Sequence, residues 1–464
     1  MRHILPLLIV SILLSGCSRS NDYAAAIPRD AAAVVAIEAS TLPDEWGLAT
    51  DAPIFIFAMP QSAMTGIVAH LNGSFLLKQF LRLEYHDRLK EDETCIWMKL
   101  NDNTLLAFNE STLIVLKNNS GSAETIEGTV QMMLRQQPDN SFMSTEIYGR
   151  LTAEADCDMR GWFCLNVLPL DFVMENLQGD NIPWEKARYF MKGHLTHGEL
   201  KADFTLLNEN DEASDFFTLV RNSLEPMKGN LLDLFPGNTQ RWFASRVRSK
   251  GFYELLHRSQ LFRATEQLIG IDIKQIVDSF QGDVANGTLS FANDRSMRYA
   301  EVSNADFLQM FEDLRPLLAL TGGTMQLTDE GPQQYRFYSD GAYRWFGVKD
   351  GLFYDTNDRV QSTNVNRRYG VSLQNKPWAA DVKGARFLIA YNSIAIDDEF
   401  TRFPNYLKTK YKDAGTRETI HALIKETSSI SFSTTDCTDG HLRILLRDQK
   451  KQPLQLLYEM VMKK

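Results

Sequence analysis

One order of local patterns occurs twice along this chain, and that recurrence constrains the fold more than any single motif. Ile27-Pro28-Arg29-Asp30 precedes the apolar run Ala33 to Ile37, and Phe235-Pro236-Gly237-Asn238 precedes Arg241 to Val247. Ile67 to Phe80 holds a strand, a polar break and a helical stripe through Phe75, Leu76, Phe80 and Leu83. Arg298 to Val302, the break Ser303-Asn304-Ala305, then Phe307, Leu308 and Phe311 repeat that order. The hairpin signature of Thr104 to Lys117, with Asn109-Glu110-Ser111 as its turn, recurs as Tyr343 to Phe346, Lys349-Asp350-Gly351 and Leu352 to Tyr354. Gly198-Glu199-Leu200 to Leu207 recurs as Gly440-His441-Leu442 to Leu446. The separations rise steadily, from 208 for Pro28/Pro236 through 232 for Phe75/Phe307 and 239 for Leu113/Leu352 to 242 for Leu200/Leu442. Small insertions in a second copy produce that trend, whereas chance matches would scatter.

The expected fold is therefore α+β: two tandem copies of a mainly antiparallel sheet-plus-helices unit, residues 27–225 and 226–464. Short turns, not helical crossovers, join most of the strands. Further expectations are helices near Val130 to Arg135, Trp184 to Phe190, Phe216 to Leu224 and Leu454 to Met462, and a strand at Trp162 to Val167. Ser303 or Asn304 can cap a helix whose face carries Phe307, Phe311, Leu314 and Leu318, with Pro316 bending or stopping its last turn.

The amino-terminal segment fixes compartment. Arg2 and an apolar run from Ile4 to Leu14 lead into Leu14-Ser15-Gly16-Cys17. The run is shorter than the ~20 residues of a spanning helix, so residues 1–16 read as a secretory signal peptide. The four-residue site resembles a bacterial lipobox, which implies that Cys17 is lipidated and becomes the mature terminus. Each buried methylene of an acyl chain adds ~0.8 kcal/mol, enough in sum to hold the body on a membrane. Residues 17–26 then read as the lipidated cysteine and a flexible spacer, Ser18 to Ala26. Ser18 lacks the Asp that retains many enterobacterial lipoproteins at the inner membrane, and the expected location is the outer membrane, facing the periplasm or the surface.

Charge excludes one class of partner. Lys+Arg 49 against Asp+Glu 59 gives −10, so nucleic acid is not expected. Four cysteines remain after Cys17. Cys157 and Cys164 flank an expected turn, Asp158 to Gly161, and are candidates for a disulfide, with free thiols the alternative; Cys95 and Cys437 have no visible partner.

The chemistry-bearing patterns are sparse. His194 and His197 have a metal-like spacing, but on a strand they point to opposite faces and no third ligand is near, so no metal is expected. Glu91-Asp92-Glu93, Asp211-Glu212 and Asp397-Asp398-Glu399 read as solvated loops. A carboxylate pair at Asp397 and Asp398 would be needed for an envelope hydrolase. Phosphate-binding glycine loops, GxSxG and HExxH are absent, and no cofactor is expected. Tyr335-Arg336-Phe337-Tyr338 and Tyr343-Arg344-Trp345-Phe346 lie on expected strands, where Tyr335 and Trp345 could grip a glycan or protein, although core packing is the commoner use of such rings.

The lipobox, the opening IPRDAAAVVAI (Ile27 to Ile37) and the duplicated α+β body resemble a family of unknown-function lipoproteins from Bacteroidetes-type bacteria. That family transfers no catalytic residues. The expectation is a membrane-anchored, non-enzymatic binding or scaffolding protein of the cell envelope. The alternatives are a surface carbohydrate- or peptide-binding lipoprotein and an envelope hydrolase; the partners would be the membrane through Cys17 and an envelope protein or glycan.

Overall fold

The computed structural model describes residues 21–38, 52–71, 74–85, 88–118, 124–153, 156–164, 186–210, 218–258, 273–395 and 424–453, with 212, 263 and 422 as single residues. In the first half the strands are β1 (Ala33–Ile37), β2 (Ile54–Met59), β3 (Met64–His70), β4 (Lys90–Glu91), β5 (Ile96–Asn101), β6 (Thr104–Phe108), β7 (Thr112–Asn118), β8 (Met159–Cys164), β9 (Arg188–Thr196) and β10 (Glu199–Leu207). The second half holds β11 (Leu224–Glu225), β12 (Arg241–Val247), β13 (Phe280–Ser290), β14 (Arg295–Val302), β15 (Met325–Gly331), β16 (Gln334–Ser339), β17 (Ala342–Lys349), β18 (Leu352–Thr356), β19 (Phe387–Asn392), β20 (Thr427–Thr434) and β21 (Asp439–Leu446).

The strands form one antiparallel sheet, and with the helices on its faces the class is α+β. From one edge the order is β4, β5, β6, β7, β3, β2, β1, β8, β9, β10. It continues through β21, β20, β19, β12, β13, β14, β18, β17, β16 to β15. The short β11 pairs with the end of β12. Read inward from each edge, the two halves run through their strands in the same sequence of connections. They meet at β10–β21, where Lys201 lies opposite Arg443.

One row of directly opposed residues crosses the sheet and shows where the cores sit. It begins Trp97, Ala107, Ile114, Val68, Phe55, Ala36, continues Arg160, Lys192, Asp203, His441, Ser433, and ends Leu388, Ala244, Ala285, Tyr299, Tyr354. Opposed residues on neighbouring strands share a face. The first six belong to one buried core, closed over by Tyr23, Ile27, Val130, Phe142 and Leu151. The last five belong to a second, closed over by Leu232, Phe235, Leu373, Trp378 and Val382. Between them the row is polar. On the other face, Leu77 and Leu81 of the helix Phe75–Tyr85 cover the outer strands of the first half. Phe307 and Leu308 pack there against Tyr335 and Phe346 in the second.

Matching details recur in the two covers. Pro28 bridges to Ser141 and Pro236 to Ser372. Each serine caps a one-turn 3-10 helix, Phe142–Ser144 and Leu373–Asn375. Phe142 N donates to the Ile27 carbonyl at 3.0 Å, and Leu373 N to the Phe235 carbonyl at 3.2 Å.

Several sequence expectations are corrected. Ser18 to Ala26 is not all spacer: Asn21–Ala26 is a 3-10 helix with Tyr23, Ala24 and Ala26 buried. Tyr23 packs on Phe55 and His70, its hydroxyl donates to the Pro53 carbonyl at 2.6 Å, and the alanines are small enough to sit flush on the sheet. Among the described side chains of the helix Phe75–Tyr85, Leu77 and Leu81, four apart, are buried, while Leu83 of the expected stripe is 84% exposed; Phe75, Leu76 and Phe80 lie outside the described side chains. The helix expected near Trp184 to Phe190 is overturned for its last residues, because Arg188 to Phe190 begin β9, with aromatic side chains suited to a pleated surface. Neither Ser303 nor Asn304 is a helix cap: the 3-10 turn Asp306–Leu308 starts from Ala305 and the helix Gln309–Ala319 from Leu308, both without a side-chain cap. Asn304 closes only a local turn, accepting from Asp306 N at 3.0 Å. Pro316 lies inside the helix Gln309–Ala319, which closes with bonds from Leu320 and Thr321 to Leu317 and Leu318. Cys17, Asp397, Asp398 and the Leu454 to Met462 helix lie outside the described residues. Among those that are described, no helix is long and apolar enough to cross a membrane.

Candidate functional site

The polar middle of the sheet forms a cleft of about 410 Å³ at the join of the two halves. Its floor is β9, β10, β21 and β20, which contribute His194, Lys201, Asp203, His441, Arg443 and Ser433. Its wall is the segment Asp381, Lys383, Gly384 and Ala385, which follows the 3-10 helix Pro377–Asp381 of the second cover. Gly384 adopts φ +91°, a left-handed conformation that glycine takes without strain, so the wall can turn back toward β19.

His441 is the centre of the site. Its Nδ1 lies 2.7 Å from Asp203 Oδ1 and its Nε2 2.9 Å from Asp439 Oδ2. Only a protonated ring can donate to both carboxylates. Partial burial disfavours the charged ring, but the hydrogen bonds to Asp203 and Asp439 outweigh it and raise its pKa above the ordinary value. Burial likewise works against ionised Asp439. Hydrogen bonds from the Thr435 and Thr434 hydroxyls and from the Asp436 and Thr435 amides outweigh that, holding its carboxyl far below the usual range. Asp203 comes from β10 and Asp439 from β21, so the imidazolium straps the halves together.

Arg443 makes a second strap. Its Nη1 donates to the Pro377 carbonyl at 2.7 Å and lies 3.0 Å from Asp381 Oδ2. Glu199 Oε1 is 3.0 Å from Nε but off the N–H direction, an ion pair without a hydrogen bond. Lys201 reaches the same Glu199 at 3.4 Å. Every carboxylate of the cleft thus has a cationic partner within it. Among the described residues Lys383, Lys192 and His194 make no hydrogen bond or ion pair. Arg160, next to Lys192 in the row and 3% exposed, pairs with Glu38 through Nη2 and leaves Nε and Nη1 without partners.

The residues singled out in the sequence lie mostly elsewhere. Tyr335 is buried and stacked on Phe346, while Trp345 is half-buried against the second core. They point to opposite faces, since Tyr335 opposes Phe346 and Trp345 opposes Arg336, so they form no shared platform. The disulfide is corrected too. Cys157 and Cys164 are not bonded to each other, because the expected turn between them leads straight into β8. A strand rises ~3.3 Å per residue and carries the two cysteines far beyond the ~7 Å Cα limit of a disulfide. Burial pushes the Cys95 and Cys437 thiols up to about 11, away from reactivity. His194 lines the cleft, whereas His197 sits in the β9–β10 turn. No metal-binding cluster occurs among the described residues. Sequence reasoning missed His441, Asp203, Asp439 and Arg443. The one available signal was the sequence likeness of Gly198 to Leu207 and Gly440 to Leu446, which fall on β10 and β21.

Comparison with known proteins gives a family but no activity. A family described as a domain of unknown function (DUF4836) matches residues 37–454, and the chain belongs to that family. No curated protein matches it. Among solved structures, crystal forms III and I of TP0453 are similar at 9% and 7% identity, with TM-scores of 0.29 and 0.30. Those matches cover 45% and 44% of this chain and 88% and 84% of theirs.

Proposed function

We propose that this member of the family is a lipid-anchored protein of the bacterial cell envelope, built from two copies of one α+β unit, that binds a ligand without transforming it. The cleft at the join is its binding site. The observation that carries the reading is the concentration of charged side chains where two otherwise apolar sheet faces meet. The row has eleven core residues and turns polar only at this centre, where Asp203 and His441 are partly exposed and paired with each other rather than packed into a core.

Two copies are supported by the shared order of strand connections, by the twin proline–serine bridges, and by the register of β10 with β21. With the offset of 242 between Leu200 and Leu442, Lys201 corresponds to Arg443, and these two residues oppose each other. Self-opposed counterparts are the mark of a two-fold, isologous contact. A lipid at Cys17 agrees with a body whose first helix begins at Asn21 and whose burial begins at Tyr23: three residues, Ser18 to Ser20, separate Cys17 from Asn21 and reach no more than about 14 Å over four steps. The protein would then lie close against its membrane, at the outer membrane by the sequence reading.

Two measurements test this. Fatty-acid labelling in cells should mark the wild type and be lost in Cys17→Ala; equal labelling would refute the anchor. Native mass spectrometry of protein extracted from membranes should find a small-molecule mass that Thr435→Trp, which fills the cleft mouth, removes. A cargo indifferent to that substitution would place the binding site elsewhere.

A further inference from the structure

The partners of the cleft's charges define what it takes, given that the cleft is the binding site. Glu199, Asp203, Asp381 and Asp439 are each held by Lys201, His441 or Arg443. Hydrogen bonds from Thr434, Thr435 and Asp436 spread the charge of Asp439 further. The acids are therefore spoken for from within.

The cations are not. Lys383 stands exposed on the wall and Lys192 stands exposed on β9 at the rim, outside the lining and opposite Asp203; among the described residues neither makes a hydrogen bond or ion pair. Lys192 opposes Asp203, which opposes His441, so it lies two strand spacings, roughly 10 Å, from the His441 strand. Arg160 stands one strand further along with two nitrogens unpartnered. His194 adds an uncommitted ring beside Lys201. Unsatisfied positive charge thus flanks the cleft on both sides of a chain whose net charge is −10. Field lines in a recess of that sign concentrate anions there.

We infer that the cleft binds a small ligand carrying at least two acidic groups, carboxylate or phosphate, one held by Lys383 and another by Lys192. From Lys192 the floor runs through Asp203, whose charge is met by the imidazolium of His441, and then Ser433. A lysine ammonium serves either acid as a point charge, so the residues alone do not choose between carboxylate and phosphate.

The test is isothermal titration of the full mature protein with citrate, pyrophosphate and acetate. Saturable binding of citrate or pyrophosphate is expected, with acetate at least tenfold weaker. Lys383→Ala and Lys192→Ala should each weaken the dianion by tenfold or more. Both side chains are exposed and unpartnered, so an unchanged melting temperature will show that the fold is intact. Preference for citrate assigns carboxylate, and preference for pyrophosphate assigns phosphate. No binding of any probe, or binding that survives both substitutions, overturns the inference. If these probes fail while Thr435→Trp still expels the native cargo, the cleft stands and its ligand class is wrong.

Discussion

The ends of the central row and its middle sit on one sheet face yet obey different rules. At the ends, Phe55, Val68 and Ile114 on one side and Leu388, Ala285 and Tyr299 on the other are sealed beneath 3-10 turns and helices. In the middle, Lys192, Asp203 and His441 hold the same sheet positions, and among the described residues the Asp381–Ala385 wall is what stands beside them. The described parts of the two covers each pack on the core of their own half. What holds the join is backbone pairing between β10 and β21, helped by charged straps that also line a recess. Stability is thus concentrated in the two caps, and the proposed recognition in the seam.

The sharpest way to break this contrast is to substitute both regions and compare. Trp242 is 2% exposed, stacked on Trp378 and edge-on to Phe235. Trp242→Ala should cost about 3–5 kcal/mol in chemical denaturation. A much smaller cost would show that the second core is not what supports its half. Next, Arg443→Ala strips Asp381 of its partner and leaves the Pro377 carbonyl unbonded, for an expected loss of about 1–3 kcal/mol. A neutral result would mean the strap does not tie wall to floor.

A smaller effect should appear in pH. The pKa of His441 is raised in the folded protein by its two aspartates, so its contribution is complete below the ordinary histidine value of about 6.5 and is lost as pH rises through the raised one. The ring is more than a third exposed, so solvent screening limits this to at most ~1 kcal/mol. Melting curves from pH 6 to 9 should slope downward more in the wild type than in His441→Asn; parallel slopes would remove the strap. Smallest of all, Lys383→Ala should leave stability within about 0.5 kcal/mol while weakening ligand binding. A large loss of stability would show that Lys383 has a structural duty.

Much of the caps was legible in the sequence, because their signals are local. Ala33–Ile37 and Arg241–Val247 coincide with β1 and β12, and Asn109-Glu110-Ser111 turns between β6 and β7. Where apolar periodicity fades, the reading failed. β13 carries Gly282, Asp283, Asn286 and Gly287, and β20 alternates Ser429, Ser431 and Ser433 with Ile430 and Phe432; both are strands because of their neighbours. Gly287 is there for space, since a Cβ would come within 2.5 Å of the Phe235 ring. The contacts of the seam were not legible, for the likeness of the β10 and β21 segments says nothing of their pairing. Asp203 and His441 stand 238 residues apart and become neighbours only when two edge strands pair. No local pattern announces such a contact.

The most direct test is hydrogen exchange of the intact protein with and without saturating citrate or pyrophosphate. The account requires added protection in β9, β10, β20, β21 and the Asp381–Ala385 wall, with the covers over Trp162 and Trp242 unchanged. Protection confined to the caps or to the aromatic strands β16 and β17, with the seam unaltered, would contradict it.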